Sequence, residues 1–255
     1  MNTEQLRKQW EQEELFKDWN ETLITSCLQG IMGEIYVNDT VNGENPESAA
    51  AVLGDFCFLT GKPERNLVER DYGKYFLIMV PQNEAWSKLI ESVWGSRASR
   101  RMRYAIKKEP DCFDRGKLLG YVEKLPGEYR LCRIDEALYR QCLENGWSRD
   151  LVSQFPSYED YRRLGLGIAV VYEGRIVSGA SSYSRYDKGI EIEIDTEKAH
   201  RRRGLATAAG AALILECLSR GLYPSWDAQN LWSVALAEKL GYTRDFDYPV
   251  YEISR

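Results

Sequence analysis

Residues 190–221 of this 255-residue chain read as a strand, a loop and a helix in direct succession. The strand alternates Ile with Glu and ends at Thr196, and the helix after the loop runs to Arg220. The first amides of a helix lack an intrahelical partner, and the helix dipole adds about half a positive charge at that end. We therefore predict an anion site where this helix begins.

The loop residues before the helix suit a pyrophosphate group. Gly204 has no Cβ, so it lets the backbone approach the phosphates closely, and the small side chain of Ala206 leaves them room. Arg201, Arg202 and Arg203 add positive charge, although one or two of them suit simple solvation equally well. The alternative for Gly204 is an ordinary turn glycine. We favour pyrophosphate binding because all of these features occur together.

Two motifs here resemble those of the GNAT superfamily of N-acetyltransferases. Arg201, Gly204 and Ala206 occupy the fixed positions of the pattern Arg/Gln-x-x-Gly-x-Gly/Ala, which resembles motif A. Residues 226–242 read WDAQNLWSVALAEKLGY and resemble motif B, Asn-x-x-Ser/Ala-x-x-Leu-x-Glu-Lys-Leu-Gly-Phe/Tyr. The resemblance covers about half of the chain. It looks closest to a bacterial branch that includes zwittermicin-resistance-type acetyltransferases.

The resemblance implies a transferase that uses acetyl-CoA as co-substrate. It implies that amides at the helix N-terminus bind the pyrophosphate and that the end of the preceding strand pairs with the pantetheine arm. The residues expected to contact the cofactor are Ile194, Asp195, Thr196, Arg201, Arg202, Arg203, Gly204, Leu205, Ala206, Thr207, Asn230 and Ser233. Among them, Arg202 and Arg203 are candidates for the 3′-phosphate. Asn230 also suits the N-cap of a helix at 231–240, and Ser233 suits either role.

Three carboxylates are candidates for the catalytic base. An ammonium has no lone pair with which to attack a thioester, so the acceptor amine must first lose a proton. Glu191 and Glu193 alternate with Ile on the strand before the loop, so both point to one face, and Glu193 is preferred. That face either lines the cleft or is an ordinary polar edge. Asp227, at the end of the next strand, is the third candidate, with a helix-start or ion-pair role as its alternative.

The chain departs from the family pattern at Ala237, where many GNAT enzymes carry a tyrosine that protonates the departing thiolate. Three alternatives follow: the thiolate leaves without this acid, Ser233, Tyr242 or Tyr251 replaces the tyrosine, or the domain binds acyl-CoA without efficient transfer. The main hypothesis is acetylation of a small-molecule amine by direct transfer. The alternative is a non-catalytic acyl-CoA-binding regulatory or sensor protein.

The pattern of elements predicts an α/β (α+β) fold of two domains. Residues 126–255 read as β-α-βββ-α-β-α-β, a GNAT-type mixed sheet flanked by helices. Residues 1–125 read as an α/β domain of unknown role, expected to form one wall of the acceptor cleft or a homodimer contact. The strand and helix at 75–94 resemble those at 222–240, which suggests a degenerate copy of the same fold.

Composition limits the setting and the partners. The formal net charge is −5 and no long basic tract occurs, which argues against nucleic acid as a partner. The single histidine, His200, excludes metal sites with several histidine ligands and is expected to be structural, and no metal is expected. Six scattered cysteines, Cys217 in the core among them, and the lack of an apolar run of ~18 residues predict a cytoplasmic protein without a membrane segment.

Overall fold

The computed structural model describes residues 11–38 and 45–254, and the chain divides into two compact units. Unit 1 is Met1–Arg103 with Asp247–Arg255, and unit 2 is Tyr104–Phe246. The strands are β1 Glu34–Val37, β2 Ser48–Leu53, β3 Phe56–Gly61, β4 Phe76–Pro81, β5 Ala98–Ile106, β6 Arg130–Arg133, β7 Gly167–Tyr172, β8 Arg175–Tyr186, β9 Gly189–Thr196, β10 Tyr223–Ser225, β11 Asp227–Ala228 and β12 Arg244–Ser254.

Residues 11–16 are helical, and eight further α-helices follow among the described residues. They are α1 Thr22–Leu28, α2 Arg65–Glu69, α3 Glu84–Trp94, α4 Arg115–Glu123, α5 Glu136–Glu144, α6 Tyr158–Leu164, α7 Leu205–Ser219 and α8 Leu231–Leu240. Single 3-10 turns lie at Gly95–Arg97, Arg149–Leu151 and Lys198–His200. Within the described part of the chain, no helix has both the length and the apolar character that a membrane crossing requires.

Unit 1 contains an antiparallel meander, β1-β2-β3, followed by β4, which pairs with β3 in parallel. The last residues of β12 pair with β4 in the antiparallel sense. Helix α3 begins after Asn83, whose side chain caps its first amides, and buries Trp86 and Ile90 against this sheet. Leu67 and Val68 of α2 belong to the same cluster, so the core of the unit lies between this sheet, α2 and α3.

Sequence predictions for unit 1 are partly confirmed. The predicted strand at 75–80 and helix at 83–94 correspond to β4 and α3. The apolar run at 50–59 forms parts of two strands, β2 and β3, because the chain turns at Gly54-Asp55. Helix is predicted at 3–29; residues 11–16 and α1 are helical, and residues 1–10 lie outside the described part.

Unit 2 contains a five-stranded sheet in the order β10-β9-β8-β7-β6. Strands β6 to β9 are antiparallel, and the turn residues Glu173-Gly174 and 187–189 predict this for β7, β8 and β9. Strand β10 pairs with β9 in parallel. Helix α7 is apolar on nearly all sides and is buried between this sheet, α4 and α8. In the same unit, the end of β5 pairs with the two residues of β11. Helix α7 thus connects the end of β9 to β10 across the core.

The compact units divide the chain after Arg103 and after Phe246. Helix α4, which the sequence analysis includes in the N-terminal domain, buries Leu118 in the core of unit 2. The predicted domains of residues 1–125 and 126–255 stay a prediction.

Candidate functional site

An open strand edge is the central feature of unit 2. β9 pairs with β8 along its whole length, from Gly189 to Thr196. Its pairing with β10 ends at Glu191, which lies opposite Ser225. Beyond that point, no strand in the described part of the chain pairs with this edge of residues 192–196. Short of Thr196, whose carbonyl accepts from Arg201 and whose amide donates to Asp195, this unpaired strand edge suits an extended ligand that carries amides.

The N-terminus of α7 lies at the far end of this edge. Its N-cap, Gly204, has a left-handed φ of 81° and makes no side-chain cap, and the first turn contains no acidic residue. A Cβ at Gly204 would meet nothing within 4 Å, so the space beside the helix end is open. Arg202 also has a positive φ, 63°, which is uncommon for a residue with a side chain. The start of α7 therefore has room for an anion, and the anion site itself stays a prediction.

The three arginines of the loop have different environments. The Arg201 guanidinium donates from Nε to the Thr196 carbonyl at 2.9 Å and from Nη2 to Asp195 Oδ1 at 3.3 Å, so it ties the loop to β9. Arg203 Nη1 donates to the Tyr129 hydroxyl at 2.9 Å. Arg202 is exposed to solvent. Their shared charge keeps the loop positive, while Arg201 also shapes its backbone.

A cluster of Tyr129, Tyr172 and His200 contacts this loop. The Tyr129 hydroxyl lies 3.1 Å from His200 Nδ1, and the Tyr129 side chain is buried. The rings of Tyr129 and Tyr172 both contact the His200 ring. His200 therefore packs under the loop, in agreement with its predicted structural role. No local sequence signal marks Tyr129 for this role, because its contact with Arg203 joins residues 74 positions apart.

The predicted base candidates lie on two strands. Ile190 and Ile192 of β9 belong to the core that contains α7, so Glu191 and Glu193 point to the opposite face, as predicted. Glu191 is buried at 5% exposure, whereas Glu193 is half-buried. Asp227 lies on β11 opposite Ala105, outside the sheet that contains β9. The structure thus brings the two glutamates together and separates Asp227 from that sheet.

Asp195 and Ile194 complete the strand that is expected to contact the cofactor. Asp195 Oδ1 accepts a hydrogen bond from the Thr196 amide at 2.6 Å. Burial raises the pKa of Asp195 above its ordinary value, while the Thr196 amide and Arg201 oppose the shift. Ile194 packs partly against the core. Asp195 therefore helps to fix the end of β9 and the loop that follows.

Helix α8 begins and ends as predicted. Asn230 Oδ1 accepts from the Ser233 amide at 2.9 Å, and Gly241 ends the helix in a left-handed conformation. The Ser233 hydroxyl accepts from Trp226 Nε1 at 3.1 Å. Asn230 therefore has the capping role that was one of its two predicted alternatives, and its role toward pantetheine stays a prediction.

A cation outside the predicted set lies at the first turn of α7. Lys239 Nζ donates to Thr207 Oγ1 at 3.2 Å, so it brings positive charge to the same helix end as the loop arginines. Without an anion, the Lys239 charge repels the positive end of the helix dipole. When an anion binds, the lysine and the helix end both attract it. Lys239 belongs to the Glu-Lys-Leu-Gly stretch of motif B, but the spacing of that motif does not reveal its contact with Thr207.

The candidate acids are engaged in other contacts. Ala237 is fully buried in the core. The Tyr242 hydroxyl donates to the Pro224 carbonyl at 2.6 Å, and burial raises its pKa well above the ordinary value. Tyr251 belongs to unit 1, where its hydroxyl donates to Glu91 Oε1 at 2.6 Å and burial, more than this contact, raises its pKa. Neither tyrosine is poised to give up a proton near neutral pH.

Comparison with known proteins gives the family of this chain. The model of the family described as GNAT acetyltransferase matches residues 13–251, nearly the whole length. The chain belongs to the GNAT acetyltransferase family. The motif-based resemblance and the predicted fold are thereby confirmed, and acyl transfer is the reaction class of the family. The zwittermicin-resistance-type branch stays a prediction.

Individual GNAT relatives resemble the chain to different extents. A GCN5-related N-acetyltransferase-like protein from Streptococcus suis 89/1591 is 48% identical with a TM-score of 0.92, over 97% of this chain and 99% of that chain. The protein YdfB of Bacillus subtilis (strain 168), called an uncharacterized N-acetyltransferase, is 29% identical over 178 residues, 66% of this chain. The matched stretch spans 63% of that relative's length.

A tandem GNAT protein from the clavulanic acid biosynthesis pathway is similar in fold alone. It is 12% identical with a TM-score of 0.60, and the match covers 99% of this chain and 96% of that chain. Because nearly the full length of both chains is included, the GNAT fold likeness extends over the described parts of unit 1 as well as unit 2.

Proposed function

We propose that this GNAT protein is an acetyl-CoA-dependent N-acetyltransferase that acetylates an amine of a small molecule by direct transfer. The observation that carries the proposal is the open edge of β9, which joins the N-terminus of α7 to buried Glu191. One end of this edge suits a diphosphate, its length suits an arm that carries amides, and its other end offers a carboxylate. Acetyl-CoA has a diphosphate and an amide-bearing arm in that order, and the carboxylate then lies near its thioester, where it can serve the acceptor amine.

The residues proposed to hold the cofactor follow from this arrangement. Amides of residues 204–207 would bind the pyrophosphate, with Arg202 and Lys239 adding charge. Residues 194–196 would contact the pantetheine arm, and the backbone before Thr196 would pair with its amides, while Asn230 and Ser233 lie at the start of α8. Bound acetyl-CoA supplies an acetyl thioester.

Glu191 is the proposed base, in preference to Glu193, because it is the more buried carboxylate and lies where β9 and β10 part. It would take a proton from the acceptor ammonium and so expose the nitrogen lone pair. The neighbouring Glu193 would favour the approach of a cation by its charge. The sequence-based preference for Glu193 did not include this difference in burial.

A second candidate function rests on Ala237. The chain has an alanine where many members of the family carry a tyrosine acid, and this alanine is packed in the core. Binding of acyl-CoA without efficient transfer, as in a regulatory or sensor protein, would follow if no other group promotes thiolate departure. The two candidates differ in one observable, the amine-dependent release of CoA thiol.

We further propose that unit 1 is a copy of the fold without a cofactor site. It repeats the order of a meander, a helix, a parallel strand and a helix capped by asparagine, here Asn83. Its β3–β4 edge is closed, because the Gln82 amide donates to the Leu59 carbonyl at 3.0 Å and Gln82 Oε1 accepts from the Gly61 amide at 3.1 Å. Helix α2 has five residues and an acidic N-cap, Glu64. We therefore expect one acetyl-CoA per chain.

The setting of the reaction is part of the same proposal. The acidic net charge of −5 favours a small amine over nucleic acid as the partner. We propose a cytoplasmic enzyme with the functional domain at 126–255.

Calorimetric titration of acetyl-CoA and desulfo-CoA tests the cofactor site. Gly204→Glu places a side chain and a negative charge at the start of α7, so we expect binding to be lost. Gly221→Glu is the matched control, since Gly221 also has a positive φ, 68°, and open space around its Cβ, but lies beyond the other end of α7. Equal loss in both variants, or no binding to the wild type, would refute the site.

Release of CoA thiol, measured against a panel of small amines, then separates the two candidate functions. Amine-dependent release that disappears in Gly204→Glu supports the transferase. Saturable binding with a stoichiometry of one per chain but without release with any amine supports the binding protein instead.

A further inference from the structure

Three polar residues form a row across the sheet of unit 2. Ser184 on β8 lies opposite Glu191 on β9, and Ser225 on β10 lies opposite the same Glu191. Residues directly opposite each other on neighbouring strands point to the same face. All three are buried, with exposures of 0%, 5% and 1%. We call this set the Ser184–Glu191–Ser225 row.

The two serines of the row differ from three other buried serines, which lie on β8. Ser178, Ser181 and Ser182 are equally buried, and each hydroxyl has a hydrogen-bond partner. The hydroxyls of Ser184 and Ser225 have none within the described part of the chain. Burying an unpaired hydroxyl costs free energy, so two of them beside one carboxylate indicate a polar ligand.

The row lies at a chemically significant point of the fold. It is the last place where β10 pairs with β9, and the open edge begins directly after it. Thr196, next to the loop before α7, is five residues further along β9, or about 17 Å at the rise of an extended strand. An extended pantetheine arm has a comparable length. The row is therefore at the inner end of the edge, the end expected to be near the thioester.

We propose that the Ser184–Glu191–Ser225 row binds the primary ammonium group of the acceptor, with Ser184 and Ser225 as residues that determine specificity. The proposal rests on the proposed transferase function. A primary ammonium has three N–H donors, and the row offers three acceptors, one carboxylate and two hydroxyl oxygens. Tertiary and quaternary ammonium groups lack the donors to match them.

The match between the N–H groups of the acceptor and the oxygens of the row persists after proton transfer to Glu191. Glu191 takes one proton, which leaves a neutral amine with two N–H groups for the two serine hydroxyls and a free lone pair. The nitrogen then forms a bond to the acetyl carbon while the carbon–sulfur bond breaks. One of the two protons that remained on the nitrogen then neutralises the departing thiolate. Glu191 returns the proton that it took first to solvent. The serines thus position the nitrogen without taking part in proton transfer.

Other hydroxyl groups near the row are already engaged. The charge of Glu191 contributes to the raised pKa of Tyr223 and Tyr242, after burial as the main cause. Tyr223 donates to the Lys107 carbonyl at 3.3 Å and Tyr242 to the Pro224 carbonyl at 2.6 Å. Both phenols therefore keep their protons and are engaged with backbone carbonyls, whereas the two row serines have no partner in the part of the chain that the structure describes.

Thermal unfolding with methylammonium chloride tests the proposal, with tetramethylammonium chloride at equal ionic strength as the reference salt. We expect methylammonium to raise the unfolding midpoint of the wild type more than tetramethylammonium does. The double variant Ser184→Ala/Ser225→Ala should respond equally to the two salts. It should fold at least as well as the wild type, because it removes hydroxyls that have no partner.

Ser182→Ala is the matched control on the same strand. Its hydroxyl accepts from the Leu166 amide at 2.9 Å, and it lies opposite core residue Ile192. We expect a lower midpoint in this variant but an unchanged methylammonium-specific shift. Equal responses of the wild type to both salts, as expected if the hydroxyls hold only water, would overturn the proposal, as would a specific shift that survives in the double variant.

Titration of acetyl-CoA into the double variant separates this proposal from the proposed function. Retained affinity, together with loss of the methylammonium-specific shift, is the expected result. Failure of acetyl-CoA to bind the wild type would end the transferase proposal, while the salt comparison would still decide whether the row binds ammonium.

Discussion

The Arg203 guanidinium donates a hydrogen bond to the buried Tyr129 hydroxyl across 2.9 Å, and this contact connects the loop before α7 to the chain just before β6. The same hydroxyl lies 3.1 Å from His200 Nδ1. The Tyr129 hydroxyl thus contacts the two residues that flank Arg201 and Arg202 in the sequence. The loop that is proposed to receive the pyrophosphate is therefore held in shape before any ligand arrives, which lowers the ordering cost of binding.

Tyr129→Phe removes this anchor and retains the ring. We expect acetyl-CoA binding to weaken about fivefold, equivalent to the ~1 kcal/mol of one hydrogen bond. Tyr172→Phe is the control, since its ring also contacts His200 while its hydroxyl interacts with Glu173. Calorimetry measures both variants. An equal loss in the two would show that general packing, and not the Arg203 contact, supports the loop.

Asn230→Ala and Asn83→Ala form a second matched pair. Both side chains cap a helix, so each change should cost about 1 kcal/mol of stability in denaturant unfolding. Only Asn230→Ala should also weaken acetyl-CoA binding, because unit 1 is proposed to lack a cofactor site. Weaker binding in Asn83→Ala as well would contradict the assignment of the site to unit 2 alone.

Local sequence signals were sufficient to predict the elements that carry the motifs. Helix α8 is delimited by Asn230 and Gly241, residue types that specify a helix start and a left-handed end whatever the surroundings. The turn signals at Glu173-Gly174 and 187–189 likewise predicted the hairpins of β7 to β9. In each case the deciding interaction lies within a few residues of the signal.

Features that depend on distant pairing were not predictable in the same way. Strand β12 pairs with β4, about 175 residues earlier, and no local pattern encodes that choice. The Ser184–Glu191–Ser225 row depends on the register of three strands and on the bulge in β8 between Ser182 and Ser184. A shift of one residue would turn each side chain to the other face, so composition alone does not reveal the row.

Glu191→Gln and Glu193→Gln test the choice of base. We expect Glu191→Gln to lower kcat by about 10²–10⁴-fold in the thiol-release assay, with loss of the acid limb of the pH profile. Glu193→Gln should mainly raise the KM of the amine, since its charge attracts the cation. Acetyl-CoA affinity, measured by calorimetry, should change in neither variant. A larger kcat effect at Glu193 would reverse the assignment.

Asp195 gives the stability of the protein a predictable dependence on pH. Its raised pKa in the folded state, caused by burial, means that the folded protein holds the proton more tightly than the unfolded chain. The resulting stabilisation is present below the ordinary pKa of 3.8 and is lost as pH rises through the higher folded value. Asp195→Asn should therefore raise the unfolding midpoint at neutral pH, and the gain should shrink on acidification. A gain that persists below that pH would contradict this.

Ala237→Tyr tests why the family's tyrosine is absent. Ala237 has 0% exposure and packs in the core of unit 2, so a tyrosine there must displace its neighbours. We expect a loss of about 1–3 kcal/mol or more in denaturant unfolding, as overpacked cores generally show. Ala235→Tyr on the exposed side of α8 is the control and should change stability little. If Ala237→Tyr were as stable as the wild type and increased kcat, the site would retain room for the acid, and packing would not explain its absence.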